Sequence, residues 1–328
     1  MARYVYDLKD PASAYQRTTN NYFPNGEISS ICGVVTNPAN DPHALYWMLD
    51  TLMKAAPEGT DFHESHMPHY HKKGYETFFV DSGSLWLFIN GQKVKCKEGD
   101  IIHLQAGQAH GFAYLEDTKW RGTYHDYRMP DEMREIAAVG AAMPELAKDP
   151  ELLALNPGTD NIKLEPFVYT EVPAEQCWAV KHPDRPHAEY KFEGLTMKII
   201  IERWENGGVK EMCCAKMQPG LVVEWDKYPK LREMFYVRKG KVKFTIMGEE
   251  HIVDSECVVD IPRFAPHSIE VLEETEMYDL GGQTYWSLFL QNYESIRQRD
   301  PKRLEDPATL EELKKKFDMP IKSISMKK

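Results

Sequence analysis

Four side chains that can bind a transition metal lie in the first third of the chain. His69 and His71 are one residue apart, Glu76 follows after four residues, and His110 comes later. Because side chains alternate along a β-strand, His69 and His71 would share one face. Glu76 and His110 can join them if neighbouring strands curl into a barrel. Three imidazoles and one carboxylate, with other coordination positions open, suit a catalytic divalent metal with ligand distances of about 2.0–2.2 Å.

Glycines complete this pattern. Six residues separate Glu76 from Gly83, seven separate Gly99 from Gly107, and two separate Gly107 from His110. The combined spacing resembles the paired motifs of the cupin superfamily. The resemblance implies a metal held in a small β-barrel of the jelly-roll type, and sequence leaves Fe, Mn, Ni, Cu and Zn open as the metal.

The pattern departs from that superfamily at two places, neither of which is a ligand position. Gln105 stands where the family usually has Pro, and Tyr114 where it usually has Asn. The glycine that usually lies six residues before the first histidine is displaced to Gly59. This predicts a small insertion, residues 60–68, beside the site.

The second half of the chain repeats the first. Glu76 aligns with Glu233 and His110 with His267, at a constant offset of 157 positions and without a gap. Glycines, apolar positions and ligand positions match together, which indicates an internal duplication. Further identities at this offset are Phe78/Phe235, Val80/Val237, Gly83/Gly240, Ile89/Ile246 and Gly91/Gly248.

The second set of ligand positions is degenerate. Its members would be Asp226, Tyr228, Glu233 and His267. Tyr228 is a poor ligand unless ionised, and its ordinary pKa is about 10. We expect this site to be empty, although Asp226, Glu233 and His267 could hold a metal weakly, and the second barrel then serves to stabilise the first.

Alternation also predicts the walls of a pocket at the first site. Phe78 and Val80 share the face of Glu76, whereas Phe112 and Tyr114 share the face of His110. Such walls suit a small aromatic or otherwise partly apolar substrate, although core packing alone would also place Phe78, Val80 and Phe112 there. Tyr114 is a candidate proton donor or a space-filling side chain.

Two further histidines, His63 and His66, lie in the expected insertion. They are candidates for substrate contacts or acid–base chemistry. The alternative is that both are exposed loop residues.

Composition limits the class of protein. The chain has 328 residues, a net charge of −11 and 42% hydrophobic residues, which is ordinary for two globular domains. An acidic chain is a poor partner for nucleic acid or an anionic membrane, and we expect neither. Six cysteines without CxxC spacing and no apolar leader at the N-terminus predict a cytoplasmic protein.

We expect a mainly β fold with two double-stranded β-helix barrels. Residues 1–45 would form an arm, 46–128 the first barrel, 129–165 a helical linker, 166–284 the second barrel and 285–328 a helical tail. The Asn90–Gly91 pair between alternating segments predicts a hairpin, because both turn positions need positive φ. Trp86 and Phe88 give that hairpin a second apolar face. The face needs cover from the arm, the other half or a partner subunit, and we expect a homodimer.

The resemblance implies a metal-dependent bicupin, similar in architecture to quercetin dioxygenases, gentisate dioxygenases and oxalate decarboxylases. Those enzymes share a barrel and catalyse different reactions, so activity does not follow from fold. Our leading hypothesis is a dioxygenase-like oxidoreductase in which Glu76 and Tyr114 take part in catalysis. The alternatives are a non-oxidative isomerase, lyase or hydrolase and a small-molecule binding protein without turnover.

Overall fold

The computed structural model describes residues 4–9, 17–22, 28–36, 46–59, 68–71, 74–125, 142–143, 161–163, 168–208, 211–225, 233–280 and 285–327. The chain divides into two compact units, here called the N-terminal unit (Tyr15–His182) and the C-terminal unit (Met1–Ala14 with Pro183–Lys328). Both are built mainly of antiparallel strands, which confirms the expected fold class.

The N-terminal unit contains two sheets. Its strands are β2 (Arg17–Tyr22), β3 (Ile28–Thr36), β4 (Tyr46–Met53), β5 (His69–His71), β6 (Tyr75–Ser82), β7 (Ser84–Ile89), β8 (Gln92–Lys97), β9 (Ile101–Leu104), β10 (His110–Tyr114), β11 (Thr118–His125), β12 (Asn161–Lys163), β13 (Thr170–Val172) and β14 (Val180–Lys181). One sheet has the order β12-β5-β10-β7-β8-β13 and the other the order β14-β9-β6-β11-β4-β3-β2. Apolar side chains from both sheets form one core, among them Phe78, Leu87 and Trp120.

The C-terminal unit has one ten-stranded sheet. Its strands are β1 (Val5–Asp7), β15 (Ala188–Phe192), β16 (Leu195–Ile201), β17 (Met212–Met217), β18 (Leu221–Trp225), β19 (Glu233–Ile246), β20 (Glu249–Asp254), β21 (Cys257–Ile261), β22 (His267–Asp279) and β23 (Ile321–Met326). Two α-helices, α1 (Trp286–Arg299) and α2 (Pro307–Lys316), follow β22, and 3-10 turns lie at Ala174–Gln176 in the first unit and at Arg203–Asn206 and Pro301–Glu305 in the second. None of the helices in the described residues is long and apolar enough to span a membrane.

Local sequence explains several of these elements. Asn90 and Gly91 have φ of +46° and +77° and connect β7 to β8, so the expected hairpin is present. Helix α2 begins with Pro307 at its first position, and the Asp306 side chain accepts a hydrogen bond from Ala308 N at 3.0 Å. Helix α1 starts under a buried carboxylate from another part of the unit, because Glu211 accepts hydrogen bonds from the Ser287 backbone N and Oγ.

The unit boundaries differ from those expected from sequence. Strands β13 and β14 pair with β8 and β9, so the segment 168–182 belongs with the first barrel and not with the second. Strand β1 instead pairs with β21 in the C-terminal unit. The tail contains the expected helices and also β23, which pairs with β18. Most of the expected linker, 129–165, lies outside the described residues.

The second apolar face of the β7–β8 hairpin is covered within the N-terminal unit. Phe88 is buried, and the Tyr169 ring lies 4.8 Å from it. Lys93 Nζ lies 3.9 Å from the centre of the Trp86 ring. Cover therefore comes from the segment before β13 and from a cation–π contact across the hairpin.

The duplication extends to the backbone. Gly83 has φ +81° and Gly240 has φ +93°. In each barrel a Thr hydroxyl (Thr118 or Thr275) hydrogen-bonds a carbonyl just after that glycine, and a Cβ added to the glycine would collide with the same segment. At two other positions the left-handed backbone is kept but the residue type differs. Gly99 and Gly107 of the first barrel correspond to Glu256 (φ +61°) and Phe264 (φ +64°) of the second.

Gly83 and Gly107 allow backbone strain to be separated from steric exclusion. Both have left-handed φ, but an added Cβ at Gly83 would lie 2.4 Å from Asp117 O, whereas nothing lies within 4 Å at Gly107. We expect Gly107→Ala to lower the free energy of unfolding by about 1–2 kcal/mol and Gly83→Ala by about 1–3 kcal/mol more. Urea unfolding followed by circular dichroism measures both, and equal losses would contradict this account of Gly83.

Candidate metal centre

Three imidazoles meet inside the N-terminal unit. His69 and His71 come from β5 and His110 from β10, and His110 is the antiparallel partner of His69. One nitrogen of each ring lies within 4.8 Å of the others, with His69 half-buried and the other two buried. The ring centres are 4.3–5.3 Å apart. Among the described residues, three or more metal-binding side chains come together at this place alone.

Glu76 extends this group on one side. Its Oε2 lies 3.4 Å from His71 Nε2 and 3.2 Å from His110 Nε2. Two ligands bound at about 2.1 Å and roughly a right angle or slightly more would be separated by about 3.0–3.4 Å. The distances from Glu76 to His71 and His110 therefore fit three ligands of one ion. The nitrogens that all lie within 4.8 Å of one another are those of the three histidines.

The orientation of His110 also fits a metal ligand. Its Nδ1 donates a hydrogen bond to Gln108 O at 2.8 Å, so Nε2 carries the lone pair in the neutral ring. Nε2 is buried and makes no hydrogen bond within the described residues. A backbone carbonyl that fixes the tautomer in this way is typical support for a metal-binding imidazole.

Burial and charge act in opposite directions on Glu76. Burial raises the pKa of this carboxyl, but the positive charge of His71 and the contacts with His110 and His71 outweigh it and hold the pKa below its usual range. Glu76 is therefore a carboxylate at neutral pH. The pKa of the Tyr114 phenol is raised well above its usual value by burial and then by the charge of Glu76, so Tyr114 stays protonated.

Aromatic rings form one wall next to this group. Phe78 and Val80 are buried in the core, and Phe112 packs on Phe78 at 5.4 Å and on His110 at 5.8 Å. Tyr114 lies 5.5 Å from the Trp120 ring. The structure therefore brings Phe78, Val80, Phe112 and Tyr114 to the interior of the barrel that holds the histidines.

Sequence reasoning missed two rings on β11. Trp120 stacks on Phe78 at 4.3 Å, and Tyr124 lies 5.6 Å from Phe78 and pairs directly with Glu76 across the sheet. Gly122 makes room for them, because an added Cβ would lie 2.8 Å from Tyr124 and 3.0 Å from Phe78. Period-two alternation was visible in β11, but sequence did not show which face pointed inward.

The opposite face of β11 carries a separate ionic group. Arg121 is fully buried and forms ion pairs with Asp81 and, at 3.3 Å, with Asp50. Since Trp120 and Tyr124 face the core, Arg121 points away from the histidines. It therefore belongs to the support of the sheet and not to the pocket.

The corresponding position in the C-terminal unit keeps half of the arrangement. Glu233 Oε2 lies 3.1 Å from His267 Nε2, and His267 Nδ1 donates to Ala265 O at 3.1 Å. The Trp225 ring stacks on His267 at 4.9 Å. The other two predicted members, Asp226 and Tyr228, lie outside the described residues, as do His63 and His66 of the first site.

The duplication provides a matched test of metal binding. We expect about one transition-metal ion per chain in purified protein, and we expect most of it to be lost in His69→Ala because a direct ligand is removed. His267→Ala should retain it, since Asp226 and Tyr228 replace the two histidines of the first site. Elemental analysis gives the content. Two ions per chain, or full content in His69→Ala, would contradict this assignment.

Comparison with known proteins agrees with this architecture. Residues 52–124 match the cupin domain family. A solved structure of Bacillus subtilis oxalate decarboxylase at pH 4.6 is 13% identical, with a TM-score of 0.50 over 85% of this chain and 76% of that one. Another structure of the same enzyme, from work on its Mn(II) centres, is 12% identical, with a TM-score of 0.52 over 100% of this chain and 90% of that one.

A search of curated proteins gives no match. The low identities restrict the structural likeness to the fold. That fold, the matched cupin domain and the duplicated barrel motifs agree with one another. Residues 52–124 therefore match a cupin domain, and the fold of the chain is similar to that of the two oxalate decarboxylase structures.

Proposed function

We propose that the N-terminal barrel is the site of a metal-dependent enzyme with dioxygenase-like activity on a small, partly apolar substrate. The observation that carries the proposal is the meeting of three imidazoles beside an ionised carboxylate and an aromatic wall. A substrate with an aromatic ring or an enolisable carbonyl would match this combination of apolar and polar groups.

His69, His71 and His110 would hold the metal, with Glu76 as a fourth ligand or as a proton acceptor. Imidazole and carboxylate donors suit Fe, Mn, Ni, Cu or Zn. Manganese has one additional support, since the similar solved enzyme is described as having Mn(II) centres. When bound, such an ion supplies Lewis acidity and open coordination positions.

The protein side chains have distinct roles in this proposal. Glu76 is ionised and buried, so it can accept a proton from a substrate hydroxyl or from an activated carbon. Tyr114 is protonated and can donate a hydrogen bond to a substrate oxygen that gains negative charge. Phe78, Phe112 and Trp120 exclude water and pack against the apolar part of the substrate.

A non-oxidative reaction is the second candidate. The similar structures are of an oxalate decarboxylase, whose printed name describes loss of a carboxyl group. A carboxylate and a neutral phenol near the same oxygen can also move protons without O₂. An isomerase, lyase or hydrolase would use the same residues.

Oxygen consumption separates these reactions. We expect metal-reconstituted protein, tested on a panel of phenols, β-diketones and small hydroxy acids, to consume O₂ in proportion to substrate lost and to stop under argon. His110→Ala should be inactive and His267→Ala active. Equal turnover in air and argon would favour the non-oxidative reaction. Tight binding of a compound without turnover would indicate a small-molecule binding protein and not an enzyme.

Tyr114→Phe tests the phenol. It removes only the hydroxyl, so metal content should be unchanged. We expect kcat to fall by about 10²-fold with KM nearly constant if the hydroxyl stabilises charge in the transition state. Phe112→Leu is the control for packing and should mainly raise KM. An unchanged kcat in Tyr114→Phe would show that the ring only fills space.

A further inference from the structure

The C-terminal unit contains a cavity of about 250 Å³ far in sequence from the metal-binding motif. It lies between β16, β23 and the helices α1 and α2. Its walls are mainly apolar and include Leu195, Met197, Trp286, Leu290, Leu310 and Ile321. The cavity is partly open to solvent, so a ligand can enter it from the surface.

The cavity continues towards the interior of the second barrel. A smaller space of about 30 Å³ shares Leu195, Met197, Trp286, Ile321 and Ile324 with it and reaches Trp225 and Phe235. The indole N–H of Trp286 already donates a hydrogen bond to Asp279 at 2.9 Å. Apart from Asp279, which accepts this hydrogen bond, the inner end presents ring faces and aliphatic groups, which accept an apolar body.

The outer end is different in character. All six residues of β23, from Ile321 to Met326, line the cavity, although a strand that presented one face would contribute alternate residues only. Strand β23 pairs only with β18 within the described residues, so its other edge has no strand partner there. An open strand edge offers backbone N–H groups as hydrogen-bond donors.

Positive side chains lie at this same end. The Lys322 side chain is 62% exposed and is 4.0 Å from its nearest carboxylate, Glu224. Lys314 Nζ donates to Lys322 O at 3.1 Å, which places a second cation beside the edge, paired with Glu311 at 2.8 Å. One lining residue, Glu193, is acidic. Backbone donors together with two lysines suit a carboxylate head group.

We propose that this cavity binds a small monocarboxylic acid with an apolar body, its carboxylate at Lys322 and the edge of β23 and its body against Trp286 and Leu290. A cavity of about 150 Å³ holds benzene, so about 250 Å³ accommodates roughly ten carbon atoms. The site is separate from the metal centre and does not depend on the proposed reaction there.

Decanoate below its micellar concentration is the probe, titrated calorimetrically into the full chain. We expect saturable binding at one site per chain and a melting temperature that rises with ligand concentration. Decanol lacks the carboxylate and should bind at least about tenfold more weakly than decanoate. Acetate lacks the alkyl chain and should not bind.

Paired variants locate the site. Leu310→Trp fills the cavity and should abolish binding, whereas Leu288→Trp, on an exposed part of α1 outside the lining, should retain it. Lys322→Glu should weaken decanoate by about tenfold or more, with Lys315→Glu as its exposed control. Circular dichroism checks that each variant is folded, and the exposed Lys322 position keeps the test valid if Leu310→Trp does not fold.

Four results would overturn the proposal: no saturable binding at millimolar decanoate, equal affinity for decanol, full binding in both Leu310→Trp and Lys322→Glu, or binding that is lost in His69→Ala. The last result would place the ligand at the metal centre. The proposed enzymatic function fails on different results, since it is tested by metal content and turnover.

Discussion

The interior of the first barrel is organised around one buried contact, in which Glu76 faces His71 and His110 at 3.4 and 3.2 Å. A buried carboxylate without a counter-charge is costly, and so is the burial of several imidazoles close together. Bringing the two kinds of group together removes part of each cost. A bound cation would remove most of the remainder, so stability and chemistry are linked at this position.

The C-terminal unit retains only part of this arrangement. It keeps the Glu233–His267 contact and the backbone acceptor behind the ring, but Trp225 stacks flat on the imidazole. The aromatic wall changes as well, because Phe112, Tyr114 and Trp120 correspond to Ile269, Val271 and Met277. The same framework therefore holds three imidazoles and a carboxylate in one copy, whereas the described residues of the other hold the Glu233–His267 pair among apolar side chains.

Sequence predicted the parts of the fold that depend on local rules. The Asn90–Gly91 hairpin, the strand with His69 and His71 and the repeat at Glu233 follow from turn chemistry, alternation and spacing. It did not predict which face of β11 points inward, because Trp120 and Arg121 are both large and both buried. The inward face is decided by tertiary contacts, with Phe78 on one side and Asp50 and Asp81 on the other.

Long-range pairing was also beyond sequence reasoning. Strands β13 and β14 are short and have no distinctive pattern, yet they close the edges of the first unit. Spacing did predict that His69, His71 and His110 lie close together with Glu76 beside them. The cavity beside β23 was not predicted, because we expected residues 285–328 to form a helical tail and not a strand that pairs with β18.

The pairing of β1 with β21 has a consequence for biosynthesis. Val5 lies beside Val259, so β1 precedes the N-terminal unit in the chain but belongs to the unit that follows it. During translation the N-terminal barrel can close while β1 still has no partner, and the second barrel acquires this strand only after β21 has emerged. Expression of the two halves as separate polypeptides, divided between the barrels, would leave this strand on the wrong fragment.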